Sequence, residues 1–462
     1  SDGHRVVDGL TLTPAPAPQG WAYNVITGLF GAGVETYFRR RQTPIGFPDG
    51  PLVVVANHPN GIVDPAVVAH VSPRKLRFLG KEPLFRMPVI SWLVKGTGSL
   101  PVYRAKDGAD TAQNAQMFRA VFDALQNGEA ICLFPEGISH NEPHLQPLKT
   151  GAARMALGAE AERDFKLGVQ VLPVGIVYDD KRKFRAGLSV VVGDPIPVVN
   201  FKDTFVDDER AAASALTDAI DRALRELTIH MDAWHQLPLL RLAECIWDEG
   251  QDPVGDDETT RLRQLSLALY ELQQSHPDEA EDIEAQVAAF ADRLDALGLQ
   301  PDDLDTAPSA PKALWFGVRN ALALSVGLPL AVVGTLLFLP PYLLVRLLSE
   351  RQKERDLVAT VALFAGAVFV PLWLAVVATV ALQWWPLSWV LPAVVVAPLL
   401  GLFSHRFWRR RRQAWQDLQV FFSFGLKRRL RRRIADQRAE LAQQMKTLEH
   451  IVRRQREAQL DA

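Results

Sequence analysis

A histidine and an aspartate separated by five residues, His58 and Asp64, could act as a general base and the acid that orients it. They follow the apolar run 52–56 across a turn rich in Pro, Asn and Gly, so the imidazole stands where a predicted strand ends. An imidazole beside a carboxylate can be held in one tautomer and accept a proton near neutral pH. Asp64 would serve equally well as a helix N-cap ahead of Pro65. Spacing alone leaves both roles open.

Three further stretches end apolar runs with residues that could contact a substrate. The first runs from Gly98 to Arg104, the second is a strand that stops at Glu136 and Gly137, and the third is a strand that contains Pro173. In chain order with the first motif, these stretches resemble the four motifs of the glycerolipid acyltransferase family, which includes glycerol-3-phosphate and lysophosphatidate acyltransferases. The four are Asn57-His58…Asp64, Gly98…Arg104, Phe134-Pro135-Glu136-Gly137 and Leu172-Pro173-Val174, and together they cover roughly residues 35–200.

The resemblance implies an α/β domain, an acyl-CoA or acyl-carrier-protein donor, no other cofactor and no metal. It implies that the acceptor is glycerol 3-phosphate or, as the alternative, lysophosphatidate. Backbone N–H groups near Gly137 are candidates for stabilising the oxyanion. By position, His58 would be the general base, Asp64 its partner, Arg104 the ligand of the acceptor phosphate, Glu136 and Gly137 the lining of the acceptor site, and Pro173 a wall of the acyl pocket.

The sequence departs from the family pattern in two places. Five residues separate His58 from Asp64, where four are commonest, which resembles a branch related to fungal-type glycerol-3-phosphate acyltransferases. The third motif continues with Ile-Ser-His instead of the usual Thr-Arg, so Lys149 and Lys81 become candidates for phosphate binding, although both could be solvated surface groups. His140 is interpreted as a local structural residue.

Two other classes of protein compete with this interpretation. A hydrolase would require a nucleophile elbow such as Gly-x-Ser-x-Gly, and the sequence has none. A non-catalytic membrane scaffold is disfavoured because His58, Asp64, Arg104 and Glu136 are all present. Acyl transfer is therefore expected to be direct, without a serine or cysteine nucleophile.

The chain around these motifs predicts a mixed sheet flanked by helices. Apolar runs at 52–56, 77–79, 130–134, 169–178 and 188–192 alternate with helical patterns such as 111–126 and 150–157. Residues 21–38 have an apolar face at helical spacing followed by three arginines, which fits a helix on a membrane surface or a core helix with a cationic end. Helical spacing continues at 216–227 and 283–297 without a catalytic motif.

The last third of the chain predicts a membrane region. Residues 321–345, 357–382 and 384–404 contain no charged side chain, and each stretch exceeds the ~18 apolar residues expected of a spanning helix. The first contains Pro329, Pro340 and Pro341 and is predicted to be a re-entrant hairpin rather than a span. The second and third are predicted to cross.

The flank after the last apolar stretch is strongly basic. Residues 406–433 contain 11 Lys or Arg and one acid, which predicts a cytoplasmic location and contact with anionic lipid rather than nucleic acid. An even number of crossings then keeps the catalytic domain on the cytoplasmic side. We predict an irregular lead at 1–20, an acyltransferase domain with an interfacial helix at 21–204, a helical region and linker at 205–310, a membrane region at 311–408 and a basic helical tail at 409–462.

Overall fold

The computed structural model describes residues 20–41, 46–104, 114–140, 142–181, 183–231, 236–247, 258–297, 310–351, 358–420 and 428–460. The predicted lead and most of the predicted linker, at 1–19 and 298–309, lie outside these ranges. The chain divides into two compact units, and the main division falls between Thr228 and Ile229.

A mixed sheet organises the first unit and contains eight strands among the described residues. The strands are β1 (Arg39–Arg41), β2 (Leu52–Ala56), β3 (Leu76–Lys81), β4 (Leu100–Val102), β5 (Ala130–Leu133), β6 (Gln170–Tyr178), β7 (Gly187–Val192) and β8 (Ile196–Pro197). Their order is β1-β7-β6-β2-β5-β3-β4, with β8 paired to β6. Strands β7 and β8 run antiparallel to β6, and the other pairs are parallel. The predicted α/β class with a mixed sheet is confirmed.

Helices cover the sheet because its central strands are apolar on both faces. The helices are α1 (Gly20–Tyr37), α2 (Val63–Val71), α3 (Pro88–Gly96), α4 (Asn114–Gln126), α5 (Gly151–Ala161), α6 (Lys202–Asp207) and α7 (Glu209–Leu227). All five residues of β2 are buried, and Val53 and Val55 share a core with α4, α5 and α7. Leu216 and Ile220 of α7 belong to that core, so the compact unit extends to Thr228, past the predicted boundary at residue 204.

Helix α1 buries one apolar stripe and exposes another. Tyr23, Ile26 and Val34 are buried, and the Tyr23 hydroxyl accepts a hydrogen bond from the Leu76 N–H at 2.9 Å. A second stripe, which includes Trp21, Val25 and Leu29, remains exposed. The arginines that follow form strand β1, parallel to β7, so they belong to the sheet rather than to a free cationic end.

A helical bundle forms one part of the second unit. It consists of α8 (Leu237–Trp247), α9 (Glu258–Ser275), α10 (Pro277–Leu297) and the long C-terminal helix of the chain, Arg428–Leu460. Leu240, Phe290, Ile434 and Met445 share its apolar core. Residues 428–460 of the predicted tail are therefore helical and pack against the helices that precede the membrane region.

The apolar third of the chain contains α11 (Ala310–Glu350), α12 (Val358–Ala381) and α13 (Leu387–Val420), and the C-terminal bundle helix is α14. Three segments within α11, α12 and α13 are long and apolar enough to cross a membrane, so this is a membrane protein. Helices α11 and α13 pack antiparallel. A side chain at Gly327 would contact Phe407. A side chain at Gly334, which lies later in α11, would contact Leu400, which lies earlier in α13.

The predicted re-entrant hairpin at 321–345 is not formed, because α11 continues through Pro329, Pro340 and Pro341. Proline removes a backbone donor, and a neighbouring helix can replace it. Pro341 leaves the Leu337 carbonyl without its helical N–H, and the Trp373 indole N–H donates to that oxygen at 2.8 Å.

Candidate active site

The dyad predicted at the end of β2 is formed. His58 Nδ1 lies 2.9 Å from Asp64 Oδ2, and the Asp64 side chain is fully buried while the imidazole is 17% exposed. Asp64 is not the N-cap, because α2 begins at Val63 and the residue before it makes no side-chain capping bond. The carboxylate instead faces the imidazole from the first turn of α2, where an anion is stabilised by the helix dipole.

The fifth residue between His58 and Asp64 is accommodated in a tight turn. The Val63 N–H donates to the Asn60 carbonyl at 3.0 Å, and Gly61 has a positive φ of 40°. The Asn60 N–H donates to Asp64 Oδ2 at 2.6 Å, so the turn also anchors the carboxylate. The longer spacing is therefore compatible with the dyad geometry.

The His58 imidazole is held by a ring stack on one face as well as by the Asp64 carboxylate at Nδ1. The Phe134 ring stacks on His58 with centroids 4.1 Å apart and planes 17° from parallel. With Nδ1 paired to Asp64, the other ring nitrogen, Nε2, makes no hydrogen bond among the described residues. Nε2 is thus the atom available to accept a proton from a substrate.

The Glu136 carboxylate contacts the dyad from the loop after β5. Its Oε1 accepts the His58 N–H at 2.7 Å, and its Oε2 accepts the Gln146 N–H at 2.8 Å and contacts His140 Nε2. The side chain has no exposed surface. All three hydrogen bonds of this carboxylate are to protein groups, and the predicted contact with the acceptor would require one of them to break.

Two cationic side chains, Arg104 and Lys149, lie close to Gly137 and could form a phosphate site. The Arg104 Nη1 donates to the Gly137 carbonyl at 2.8 Å. Gly137 has a φ of 68°, and a side chain there would come within 2.6 Å of the Lys149 Nζ. The Gly137 N–H donates to the Phe134 carbonyl at 3.0 Å, so this N–H is not free for an oxyanion. Lys81 is exposed at the end of β3.

Comparison with known proteins addresses the family. Residues 35–177 match the sequence profile of the family described as Acyltransferase. This segment is an acyltransferase-family domain. The chain is 26% identical over 59% of its length to a glycerol-3-phosphate O-acyltransferase of Saccharomyces cerevisiae, and it covers 37% of that protein. It is also 26% identical over 36% of its length to a 1-acyl-sn-glycerol-3-phosphate acyltransferase of Chlamydomonas reinhardtii, covering 49% of it.

The chain thus spans between one third and one half of the length of these two relatives. A solved structure of a 1-acyl-sn-glycerophosphate acyltransferase from Thermotoga maritima matches 44% of this chain and 79% of its own at 19% identity, with a TM-score of 0.34.

Pro173 of the acyltransferase domain lies inside β6, opposite Val55. A proline is tolerated there because β6 pairs with β8 up to Val171 and with β7 only from Val174, so the missing N–H falls in the gap between the two partners. The residue is buried in the sheet. Its predicted role in an acyl pocket stays a prediction.

Sequence reasoning missed several residues that hold the domain's site together. The Tyr178 hydroxyl donates to Asp64 Oδ1 at 2.7 Å, and the Lys181 ammonium donates to the carbonyls of Pro59 and His140. The Asn57 amide bridges to the backbone of β6 at Ile176. These partners are distant in sequence, and only the parallel pairing of β2 with β6 brings them together.

The described residues contain no group of three or more His, Cys, Asp or Glu side chains placed to bind a metal ion. Burial raises the pKa of the Cys132 thiol, which is fully enclosed in β5. That thiol therefore does not compete as a nucleophile.

Proposed function

We propose that the protein transfers a fatty acyl group from acyl-CoA or acyl-carrier-protein to a hydroxyl of glycerol 3-phosphate at a membrane, as a step of phospholipid synthesis. The observation that carries the proposal is the His58–Asp64 dyad, whose unpaired Nε2 is held by the Phe134 stack. The printed activities of the yeast and algal relatives support the reaction class. No metal or other cofactor takes part in the proposed reaction.

The reaction uses the dyad as a base and then as an acid. The acceptor hydroxyl gives its proton to His58 Nε2 as its oxygen attacks the thioester carbonyl, and Asp64 stabilises the imidazolium. Collapse of the tetrahedral intermediate breaks the C–S bond, and the thiolate takes the proton from Nε2. The products are the ester and the free thiol, and the base is restored.

The cations at Gly137 favour an acceptor that carries a phosphate. Arg104 and Lys149 would bind the phosphate, since guanidinium and ammonium groups make charge-assisted hydrogen bonds to its oxygens. Both acceptors under consideration carry this group. Glycerol 3-phosphate is preferred because the yeast relative with this printed activity matches a larger share of the chain than the algal relative does. Lysophosphatidate is the alternative.

An acceptor assay separates these activities. Purified full-length protein in lipid micelles is supplied with acyl-CoA and either glycerol 3-phosphate or lysophosphatidate, and products are identified by mass spectrometry. We expect 1-acylglycerol 3-phosphate from the first acceptor. Formation of phosphatidate alone would establish the alternative acceptor, and no product from either would favour the scaffold.

The same assay tests the phosphate site. Arg104→Gln should raise the KM for the acceptor about ten- to a hundredfold, the loss expected for a hydrogen bond to a charged group. Arg154→Gln, which removes an exposed arginine over the Phe118 ring, is the matched control and should leave the KM unchanged.

We further propose that the membrane region crosses the bilayer an even number of times, with the basic flank and the acyltransferase domain on the cytoplasmic side. Helices α8–α10 precede the membrane region and α14 follows it, yet they form one apolar core. The Arg438 guanidinium donates to the Cys245 carbonyl within that bundle. This shared core supports a location of both flanks on one side of the membrane, and the antiparallel packing of α11 and α13 supports these two as the crossing pair.

Cysteine labelling with a membrane-impermeant maleimide tests this topology. We expect Glu281→Cys in α10 and Glu440→Cys in α14 to react from the same side, and Gln383→Cys between α12 and α13 to react from the other. Arg351→Cys, just past the end of α11, should be labelled from the same side as Gln383→Cys if α11 crosses. Reaction of Glu281→Cys and Glu440→Cys from opposite sides would contradict the even number.

A further inference from the structure

The Asp64 carboxylate takes part in three hydrogen bonds within the site. Its Oδ2 receives His58 Nδ1 and the Asn60 N–H, and its Oδ1 receives the Tyr178 hydroxyl at 2.7 Å. The side chain is completely buried. A buried carboxylate needs donors to remain ionised, and Tyr178 supplies the one that comes from outside the His58–Asp64 loop.

Tyr178 is suited to donate at all working pH values. Burial, followed by the Asp64 charge, raises the pKa of the Tyr178 phenol well above its usual range, so the hydroxyl keeps its proton. The phenol stands at the end of β6, and its ring packs against Phe38 at 5.0 Å between centroids. The donor is thus both protonated and fixed in position.

Other charged or titratable groups lie near the dyad, but none of those that the structure describes hydrogen-bonds to the Asp64 carboxylate. Glu136 and His140 lie in the loop after β5, Lys181 follows β6, and Arg104 and Lys149 gather at Gly137. Among the described residues, Tyr178 is the one titratable group besides His58 that hydrogen-bonds to Asp64.

We propose that Tyr178 is a positioning residue of the dyad: its hydroxyl orients the Asp64 carboxylate and draws negative charge onto Oδ1, away from the oxygen that faces His58. Asp64 then attracts the imidazolium less strongly than a carboxylate without this hydrogen bond would. The effect on His58 is independent of the reaction, and its consequence for the rate rests on the proposed acyl transfer.

Tyr178→Phe removes the hydroxyl and little else. We expect the titration midpoint of His58, followed by NMR of the ring protons without substrate, to move to higher pH by about 0.5–1 unit, a fraction of a charged hydrogen bond. The acid limb of kcat/KM against pH should move in the same direction. At pH values on the acid limb, kcat/KM of Tyr178→Phe should be about three- to tenfold lower than that of the wild-type protein.

Tyr23→Phe is the matched control. Tyr23 is another buried tyrosine whose hydroxyl makes one hydrogen bond, to the Leu76 N–H, away from the dyad. Tyr23→Phe should lower the melting temperature about as much as Tyr178→Phe does. It should leave the His58 midpoint and the pH dependence of kcat/KM unchanged. If Tyr178→Phe lowers the melting temperature as Tyr23→Phe does but leaves the His58 midpoint at the wild-type value, the proposal is overturned.

A second variant covers the case in which Tyr178→Phe does not fold. A fluorotyrosine introduced at position 178 keeps the shape and donates more strongly, so the His58 midpoint should move to lower pH; an unchanged midpoint overturns the proposal. If wild-type protein shows no acyl transfer while the midpoints shift as expected, the proposed function fails and the positioning role stands.

Discussion

Replacing His58 with alanine is expected to lower kcat for acyl transfer by about 10²–10⁴-fold, the contribution of a positioned general base. The protein should stay folded and membrane-bound, because Asp64 keeps its bonds to the Asn60 N–H and the Tyr178 hydroxyl. Initial rates with purified protein in micelles and a melting curve measure the two expectations together.

Asp64→Asn is the companion variant and should lower kcat less than His58→Ala does. The amide can still occupy the buried position, but it cannot stabilise the imidazolium with a negative charge. A His58→Ala protein with near-normal turnover would show that another group takes the proton.

Glu136→Gln is expected to damage both stability and rate. The carboxylate accepts from His58, His140 and Gln146, so an amide must turn its NH₂ group towards a donor and leave a buried group unsatisfied. We expect a loss of about 1–3 kcal/mol in the free energy of unfolding. A shift of the His58 turn should also lower kcat by about 10–100-fold, as small misplacements do.

Glu160→Gln separates stability from positioning. Glu160 is also fully buried and accepts two backbone N–H groups, from Leu167 and Val169, but it lies at the opposite, amino-terminal end of β6. The Glu160→Gln protein should lose about as much stability as the Glu136→Gln protein and keep the wild-type kcat per folded molecule. A Glu136→Gln protein with unchanged kcat and a raised acceptor KM would instead support the direct acceptor contact that the sequence predicts.

Local sequence was sufficient where burial alone determines the element. The run Leu52–Ala56 is both the predicted and the observed strand, since a central parallel strand is apolar on both faces. Strand β1 was missed because its three arginines have no strand pattern. Its pairing with β7 depends on tertiary contacts, including the Arg185 side chain that donates to the Glu35 carbonyl at the end of α1.

The dyad was predictable from its motif, but its supports were not. Tyr178 and Glu136 reach the His58–Asp64 loop from β6 and from the end of β5, and strand order decides which chain ends become neighbours. The prolines of α11 led to the wrong prediction of a re-entrant hairpin for a similar reason. Whether a proline breaks a helix depends on a replacement donor, here Trp373, which local sequence does not show.

Acceptor-dependent release of thiol from acyl-CoA tests the central claim most directly. The account predicts release by wild-type protein in the presence of glycerol 3-phosphate, one thiol for each acylated product, and very little release without acceptor or with His58→Ala. Thiol release by His58→Ala at the wild-type rate, with acceptor present, would contradict it.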